Sequence, residues 1–220
     1  MAPQRKTVLL VDDHPVVSAG IRLLLNDSPE FAICGEAADI ENARRKTETL
    51  RPDLIVADLQ MGRQSVLDVI GDFLTIHPPA RILVYSNQEE IAYARRVLRA
   101  GAQGYMMKSA GLQMLVEALR ALARGDRWFS PQVQRAFLEE LATGKAMEGA
   151  PIDLLSNREL QVFQLLGAGL SSSKIAVELG LSIKTVGSYR ENLKIKLGMK
   201  TARDLERGAE VYVKTGRINW

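Results

Sequence analysis

Five polar residues close short apolar runs: Asp12 and Asp13 after residues 8–11, Asp58 after 54–57, Ser86 after 82–85 and Lys108 after 104–107. If those runs are neighbouring strands, three carboxylates, a hydroxyl and an ammonium converge on one edge. Like charges gathered there destabilise one another unless a cation neutralises them, so the set suits cation binding. The competing reading makes some of them helix N-caps, a role that fits Asp13 and Ser86. A second polar set lies in the last third: Lys174, then Lys184, Thr185, Gly187, Ser188, Arg190, Glu191 and Lys194 within 183–197. It is either an ordinary solvated helix face or a face shaped for a DNA major groove, and the preceding turn favours the groove.

The elements that must position these residues are legible in the apolar pattern. Residues 8–11 read as a strand buried on both faces. Pro15 suits the first turn of a helix, and Val17, Ile21, Leu24 and Leu25 recur behind it at helical spacing. Further strands are predicted at 32–37, 54–57, 82–85 and 104–107. Helices are predicted at 40–50, at 66–76 with a stop at His77-Pro78-Pro79, at 91–100 before Gly101, and at 112–124 before Gly125. Strand and helix alternate five times. The predicted fold class is therefore α/β, a five-stranded doubly wound parallel sheet, whose ligand site lies at the carboxyl ends of the strands.

The chain has 220 residues, 46% hydrophobic and 25% charged, a globular composition. No apolar run approaches the about 20 residues of a membrane span, and no secretory signal stands at the N-terminus. The single cysteine, Cys34, reads as inert core, and these features together imply the cytoplasm and no membrane partner. His14 reads first as a surface residue at a helix start, with a place along the acidic edge as the alternative, and with His77 it is too sparse for a metal site. Residues 1–125 carry 15 basic and 15 acidic side chains, 126–150 carry 3 and 4, and 151–220 carry 11 and 7. The net +3 thus comes from the last third, where it can attract a polyanion.

Residues 126–151 read as a linker. Trp128 and Phe129 anchor it on the first domain, residues 133–141 form a short helix, and the runs 143–145 and 149–151 are flexible. From Leu154 four helices follow. Ser156 and Glu159 form a capping box, Leu160, Val162, Phe163 and Leu166 make a core stripe, and Gly169 ends the run. Ser171-Ser172-Ser173 offers a cap, and Ile175, Ala176 and Leu179 line a short helix closed by Gly180. Ser182 caps residues 183–197, where Val186, Leu193 and Leu197 face the core. Two helices joined by a tight glycine turn, the second longer, make a helix-turn-helix.

Asp12-Asp13, Asp58, Ser86 and Lys108 at their strand ends, with Tyr105 three before the lysine, resemble the response-regulator receiver family over residues 6–125. The resemblance implies a flavodoxin-like receiver in which Asp58 is the phosphoacceptor. Asp13, Asp58 and the backbone carbonyl of Gln60 would hold Mg²⁺, with Asp12 helping through water. Lys108 and Ser86 would bind phosphoryl oxygens, and Tyr105 would rotate inwards as the switch. The residue types suit these roles: a carboxylate can form an acyl phosphate, and Mg²⁺ prefers oxygen ligands. After the phosphoacceptor the family usually has Met-Pro and then Asp/Asn-Gly. Here the run is Met61-Gly62-Arg63-Gln64-Ser65-Val66, and Gly62 is expected to loosen the loop.

Leu155-Ser156-Asn157-Arg158-Glu159, Gly169, Lys174-Ile175-Ala176, Leu179, Ser182, Thr185-Val186 and Lys196-Leu197-Gly198 resemble the LuxR-type domain of the NarL/FixJ class of response regulators. The resemblance implies a small all-α DNA-binding domain over 152–220, after a receiver over 1–125. Gly187, Ser188 and Glu191 would point at bases, and Lys174, Lys184, Arg190 and Lys194 at phosphates. Four such contacts are modest, so a homodimer on double-stranded DNA is expected, with half-sites about 10 base pairs or a multiple apart. Leu205, Ala209 and Val213 would supply its apolar stripe on the last helix.

The expected function is a transcription regulator of a two-component system, phosphorylated by a sensor histidine kinase. It is not an enzyme, beyond catalysing its own phosphotransfer and dephosphorylation. The departures at Gly62 and Val66 motivate an alternative, a phosphorylation-independent regulator whose receiver is a dimerisation or docking module. A Mg²⁺-dependent phosphatase is disfavoured, because no separate general acid accompanies Asp58.

Overall fold

The computed structural model describes residues 5–62, 64–143 and 151–215. The linker runs expected at 143–145 and 149–151 lie largely outside them. The chain divides into two compact units, Met1–Ala136 and Phe137–Trp220.

In the first unit, β1 (Lys6–Val11), β2 (Phe31–Ala37), β3 (Leu54–Ala57), β6 (Arg81–Ser86) and β7 (Gly104–Met107) form a parallel sheet in the order β2-β1-β3-β6-β7. β3 is buried at all four positions, as a strand covered on both faces must be. Val8, Leu10, Leu54, Val56, Leu83, Tyr85 and Met106 share a core with Ile21 and Leu25 of α1 (Pro15–Asn26) and Leu115, Leu119 and Leu122 of α5 (Leu112–Arg124). The alternate strand residues, including Leu9, Ile55, Ile82, Val84 and Tyr105, are buried on the opposite face. There they are joined by α2 (Ile40–Leu50), α3 (Ile70–Ile76) and α4 (Glu90–Ala100).

Two local expectations change. Residues 66–76 are not one helix: Ser65 accepts the Leu67 N–H and opens a 3₁₀ turn, Val66–Asp68, and Val69 (φ −126°) separates that turn from α3. Before it stands a small hairpin, β4 (Gln60–Met61) against β5 (Gln64–Ser65). Cys34 is half-buried on edge strand β2 rather than inert core, and burial raises its thiol pKa.

The first unit runs on past α5. Trp128 bridges to Gly104 beside β7, the Tyr105 N–H donates to the Trp128 carbonyl (2.9 Å), and Phe129 and Val133 are buried. Helix α6 (Pro131–Thr143) follows and crosses the boundary between the units.

The second unit contains α7 (Asn157–Gly167), α8 (Ser172–Leu179), α9 (Ile183–Leu197) and α10 (Ala202–Thr215). Ser156 and Glu159 form a reciprocal capping box, and Ser171 and Ser182 cap α8 and α9. Helix α7 stops at Gly167, before the expected Gly169. A Cβ at Gly167 would collide with the Ala209 carbonyl of α10, so glycine there permits close helix approach. Leu205 and Ala209 are buried inside the unit, and Val213 is partly exposed. Most of the stripe expected on a dimer surface is therefore domain core.

Candidate functional site: an acidic pocket and a helix-turn-helix face

The sheet order reverses direction between β1 and β3, and this brings the acidic residues together. Val11 and Ala57 are register partners, and the Asp58 N–H donates to the Val11 carbonyl (2.8 Å). Asp12 and Asp58, the next residue of each strand, must then lie side by side at the crevice. Lys108 reaches in from the end of β7. Its Nζ lies 2.7 Å from Asp12 Oδ2 and 2.7 Å from Asp58 Oδ2, with 9% of its side chain exposed. The ammonium also stands 5.9 Å from the centre of the Tyr85 ring.

Burial, with Asp12's charge added, raises the Asp58 carboxyl pKa despite the pull of Lys108. Burial would lower Lys108, but bonds to Asp12 and Asp58 reverse that and hold its pKa above the ordinary lysine value. The pair is charged, mutually bonded and nearly dry. Asp58 keeps a narrow opening, 6% of its side chain, and Oδ1 accepts a long bond from the Gln60 N–H (3.4 Å).

Asp13 lies on the outer rim and caps no helix. Its Oδ2 accepts the Gly62 N–H (2.7 Å), and its Oδ1 is buried without a hydrogen-bond partner. That orphaned oxygen, beside two further carboxylates, fits a divalent cation, and Asp12, Asp13, His14 and Asp58 present ligand atoms all within 4.8 Å of one another. Gly62 does not loosen the loop. Its φ of +55° makes the hairpin turn, its carbonyl accepts from the Gln60 side chain, and its N–H holds Asp13. A proline there could not donate that bond.

Ser86 is buried and is not a helix cap; Glu89 occupies that position for α4. The Ser86 hydroxyl accepts the Gln88 N–H (3.3 Å). Tyr105 is already turned inwards: it is fully buried, its hydroxyl donates to the Gln88 carbonyl (2.7 Å), and burial raises its pKa.

Three participants do more than the sequence assigned them. His14 is exposed at the start of α1, as expected, and its ring also faces the pocket, with Nδ1 at 3.0 Å from Asp12 and Asp13 and 3.6 Å from Asp58; adjacency to Asp12-Asp13 was the only signal. Gly62's N–H was read as a departure rather than a donor. Glu90, buried at the start of α4, accepts the Ser130 N–H (2.8 Å) just ahead of α6, and burial raises its pKa. An acid at a helix start looks like ordinary dipole compensation, so nothing in the sequence marked it.

In the second unit, Gly180 (φ 61°, ψ 40°) turns the chain from α8 into α9. Val186, Leu193 and Leu197 are buried, while Lys174, Lys184, Ser188 and Glu191 are exposed. Gly187 has open space where a side chain would be. Thr185 is engaged in the α9 cap, its N–H donating to Ser182 Oγ (3.0 Å). Arg190 bonds Glu206 (2.6 Å) and Ser172 (3.2 Å), tying α9 to α10 and α8. Lys194 pairs with Glu191 (2.8 Å). Glu159 is buried against Lys196 (2.6 Å). Burial would raise its pKa, but Lys196 and the Ser156 bonds bring it below the ordinary value.

Comparison with known proteins divides the chain similarly. Residues 8–120 match the response regulator receiver domain family, and residues 153–208 match the bacterial regulatory proteins of the luxR family. The chain is 34% identical over 213 residues to response regulator GacA of Pseudomonas viridiflava, covering 96% of this chain and 97% of that one. It is 30% identical to the oxygen regulatory protein NreC of Staphylococcus carnosus, covering 90% and 94%. Among solved structures it resembles RcsB of Salmonella enterica serovar Typhimurium bound to promoter rprA in the presence of phosphomimetic BeF3−. The TM-score is 0.61 and the identity 26%, over 93% of this chain and 98% of that one.

Proposed function

Because this chain belongs to the NarL/FixJ class of response regulators, with a receiver and a LuxR-type domain, we propose that it is a transcription regulator switched by phosphorylation of Asp58. The single observation that carries this is Lys108 bonded to both Asp12 and Asp58 at a strand-end pocket, in a chain that also holds a helix-turn-helix.

In this reading residues 1–125 are the receiver, 126–151 the linker and 152–220 the DNA-binding domain. Asp12, Asp13, Asp58 and the Gln60 carbonyl hold Mg²⁺, which when bound screens the carboxylates and polarises the phosphoryl group. An Asp58 oxygen attacks phosphorus, and the bond to the donor's leaving group breaks, giving an acyl phosphate. Lys108 turns from the carboxylates to a phosphoryl oxygen, and Ser86 donates to another. Tyr105, already inward, is held there. The added charge acts by favouring one global state, and each tenfold bias needs about 1.4 kcal/mol. The receiver also catalyses hydrolysis of its own acyl phosphate.

The phosphodonor in the cell is a sensor histidine kinase, and the site of action is cytoplasmic DNA; no described helix is long and apolar enough to cross a membrane. Lys174, Lys184, Arg190 and Lys194 meet phosphates, Thr185 belongs to the same DNA-binding set at the start of α9, and Gly187, Ser188 and Glu191 lie at the base edges. Ser188 reads permissively and Glu191 accepts from cytosine. A homodimer spans two half-sites.

The test is incubation with acetyl phosphate and Mg²⁺, followed by intact mass, oligomer size and promoter-DNA affinity. The expected result is one phosphoryl group, absent in Asp58→Ala, with tighter DNA binding. No incorporation, or incorporation that persists in Asp58→Ala, overturns the phosphoacceptor assignment.

A further inference from the structure

The acidic pocket contains one donor that a hard, oxygen-seeking ion does not require. His14 Nδ1 lies 3.0 Å from Asp12 Oδ1, 3.0 Å from Asp13 Oδ1 and 3.6 Å from Asp58 Oδ2. Two ligands at right angles on an ion with bonds of about 2.1 Å stand about 3.0 Å apart. At a tetrahedral angle they stand about 3.4 Å apart. The nitrogen therefore keeps the spacing of a ligand that shares one ion with those oxygens. Nδ1 also stands at hydrogen-bond distance from Asp12 Oδ1, which accepts the His14 N–H as well (2.8 Å), but that contact leaves Asp13 Oδ1 buried and without a bonded donor. The ring is 60% exposed, so it can adjust freely, and as a ligand through Nδ1 it would keep its proton on Nε2. The charge also fits: three carboxylates against one ammonium leave two negative charges, which a single divalent ion neutralises.

We propose that His14 is a metal ligand of this pocket and extends its binding from Mg²⁺ to divalent first-row transition ions. The inference rests on the reading of Asp12, Asp13 and Asp58 as a cation site. Imidazole adds little for Mg²⁺, which prefers oxygen and retained water. It adds much for Co²⁺, Ni²⁺ and Zn²⁺, whose affinity for mixed nitrogen and oxygen sites rises towards the end of the series. His14 thus sets which ion the receiver holds when both kinds are present.

Calorimetric titration of the untagged full chain with MgCl₂ and with NiCl₂, at one fixed pH of about 8, tests this, with Co²⁺ visible absorption as a second readout. The expected result is Ni²⁺ binding that weakens at least about tenfold, or about 1.4 kcal/mol, in His14→Ala and in His14→Gln. Mg²⁺ affinity should change far less in both, and the Co²⁺ band should shift as the nitrogen is lost. Asp13→Asn should weaken both ions. If Asp13→Asn weakens both ions but neither His14 variant affects Ni²⁺, the proposal is overturned and the acidic site stands. Ni²⁺ binding lost in His77→Ala instead also overturns it. Mg²⁺ binding indifferent to Asp13→Asn removes the cation site itself. Two independent His14 variants guard against a folding defect in either one.

Discussion

Asp12, Asp58 and the Lys108 side chain are each under a tenth exposed and are bonded to one another, whereas Lys174, Lys184, Ser188 and Glu191 stand exposed on helices whose inner faces are apolar. In the receiver the groups that would do the chemistry also hold the local structure, in a low-dielectric crevice where each charge depends on its neighbours. In the helix-turn-helix unit the framework and the outward face are made of different residues. Function and stability should therefore be entangled in the first region and separable in the second. Arg190 is the exception: it lies on the outer helix but is bound to Glu206 and Ser172.

The largest effect expected from that contrast is at Lys108. Lys108→Ala leaves Asp12 and Asp58 buried without their cation, and breaking a buried pair in this way costs about 3 kcal/mol or more. Urea unfolding without Mg²⁺ should show it, with Asp58→Asn moving the other way. Burial raises the folded pKa of Asp58, so ionisation at neutral pH opposes folding and removing the charge relieves it. A neutral result for both variants would dissolve the entanglement.

Next is Gly167→Ala, which should destabilise the second unit by about 1–3 kcal/mol through overpacking against Ala209. Hydrogen exchange at Phe163 and Leu193 would report it without disturbing β3.

A smaller, acid-dependent effect belongs to Glu159. Its folded pKa lies below the ordinary 4.5. Its contribution is therefore complete above about pH 4.5 and is lost as pH falls through the lower folded value. Glu159→Gln should flatten that part of the pH–stability curve of the second unit.

The smallest change in stability is expected at Lys184, which is exposed and has no ion pair among the described residues. Lys184→Ala should leave unfolding within about 0.5 kcal/mol of the parent. It should weaken binding to all DNA sequences and lower the salt slope by about 1. Arg190→Ala, by contrast, should lower both affinity and stability, which would mark it as the bridge between framework and binding face.

Much of this was legible in the order of residues. The five strands, the caps at Ser156, Ser171 and Ser182, the limits of α9 and the strand-end positions of Asp12, Asp58 and Lys108 follow from periodicity and turn chemistry, which act within a few residues. The helix expected over 66–76 failed because the Ser65 cap opens a 3₁₀ turn over Val66–Asp68 and Val69, at φ −126°, separates that turn from α3. The Leu205 and Ala209 stripe was correctly apolar, but its destination was misjudged: an apolar face does not say whether it packs within its own domain or on a partner.

By itself the sequence determined which residues end each strand, where helices start and stop, and which side chains carry charge, since these depend on near neighbours. Only the tertiary structure decided that His14 turns into the pocket, that the Gly62 N–H holds Asp13, that Glu90 fastens the chain ahead of α6, and that Gly167 lets α10 close on α7. Those four contacts span anything from adjacent positions to more than forty residues, but each needs a ring orientation, a backbone sign or a helix separation that no local pattern specifies. They become definite only when parallel strands pair in register and helices pack at one distance, which is a property of the whole fold.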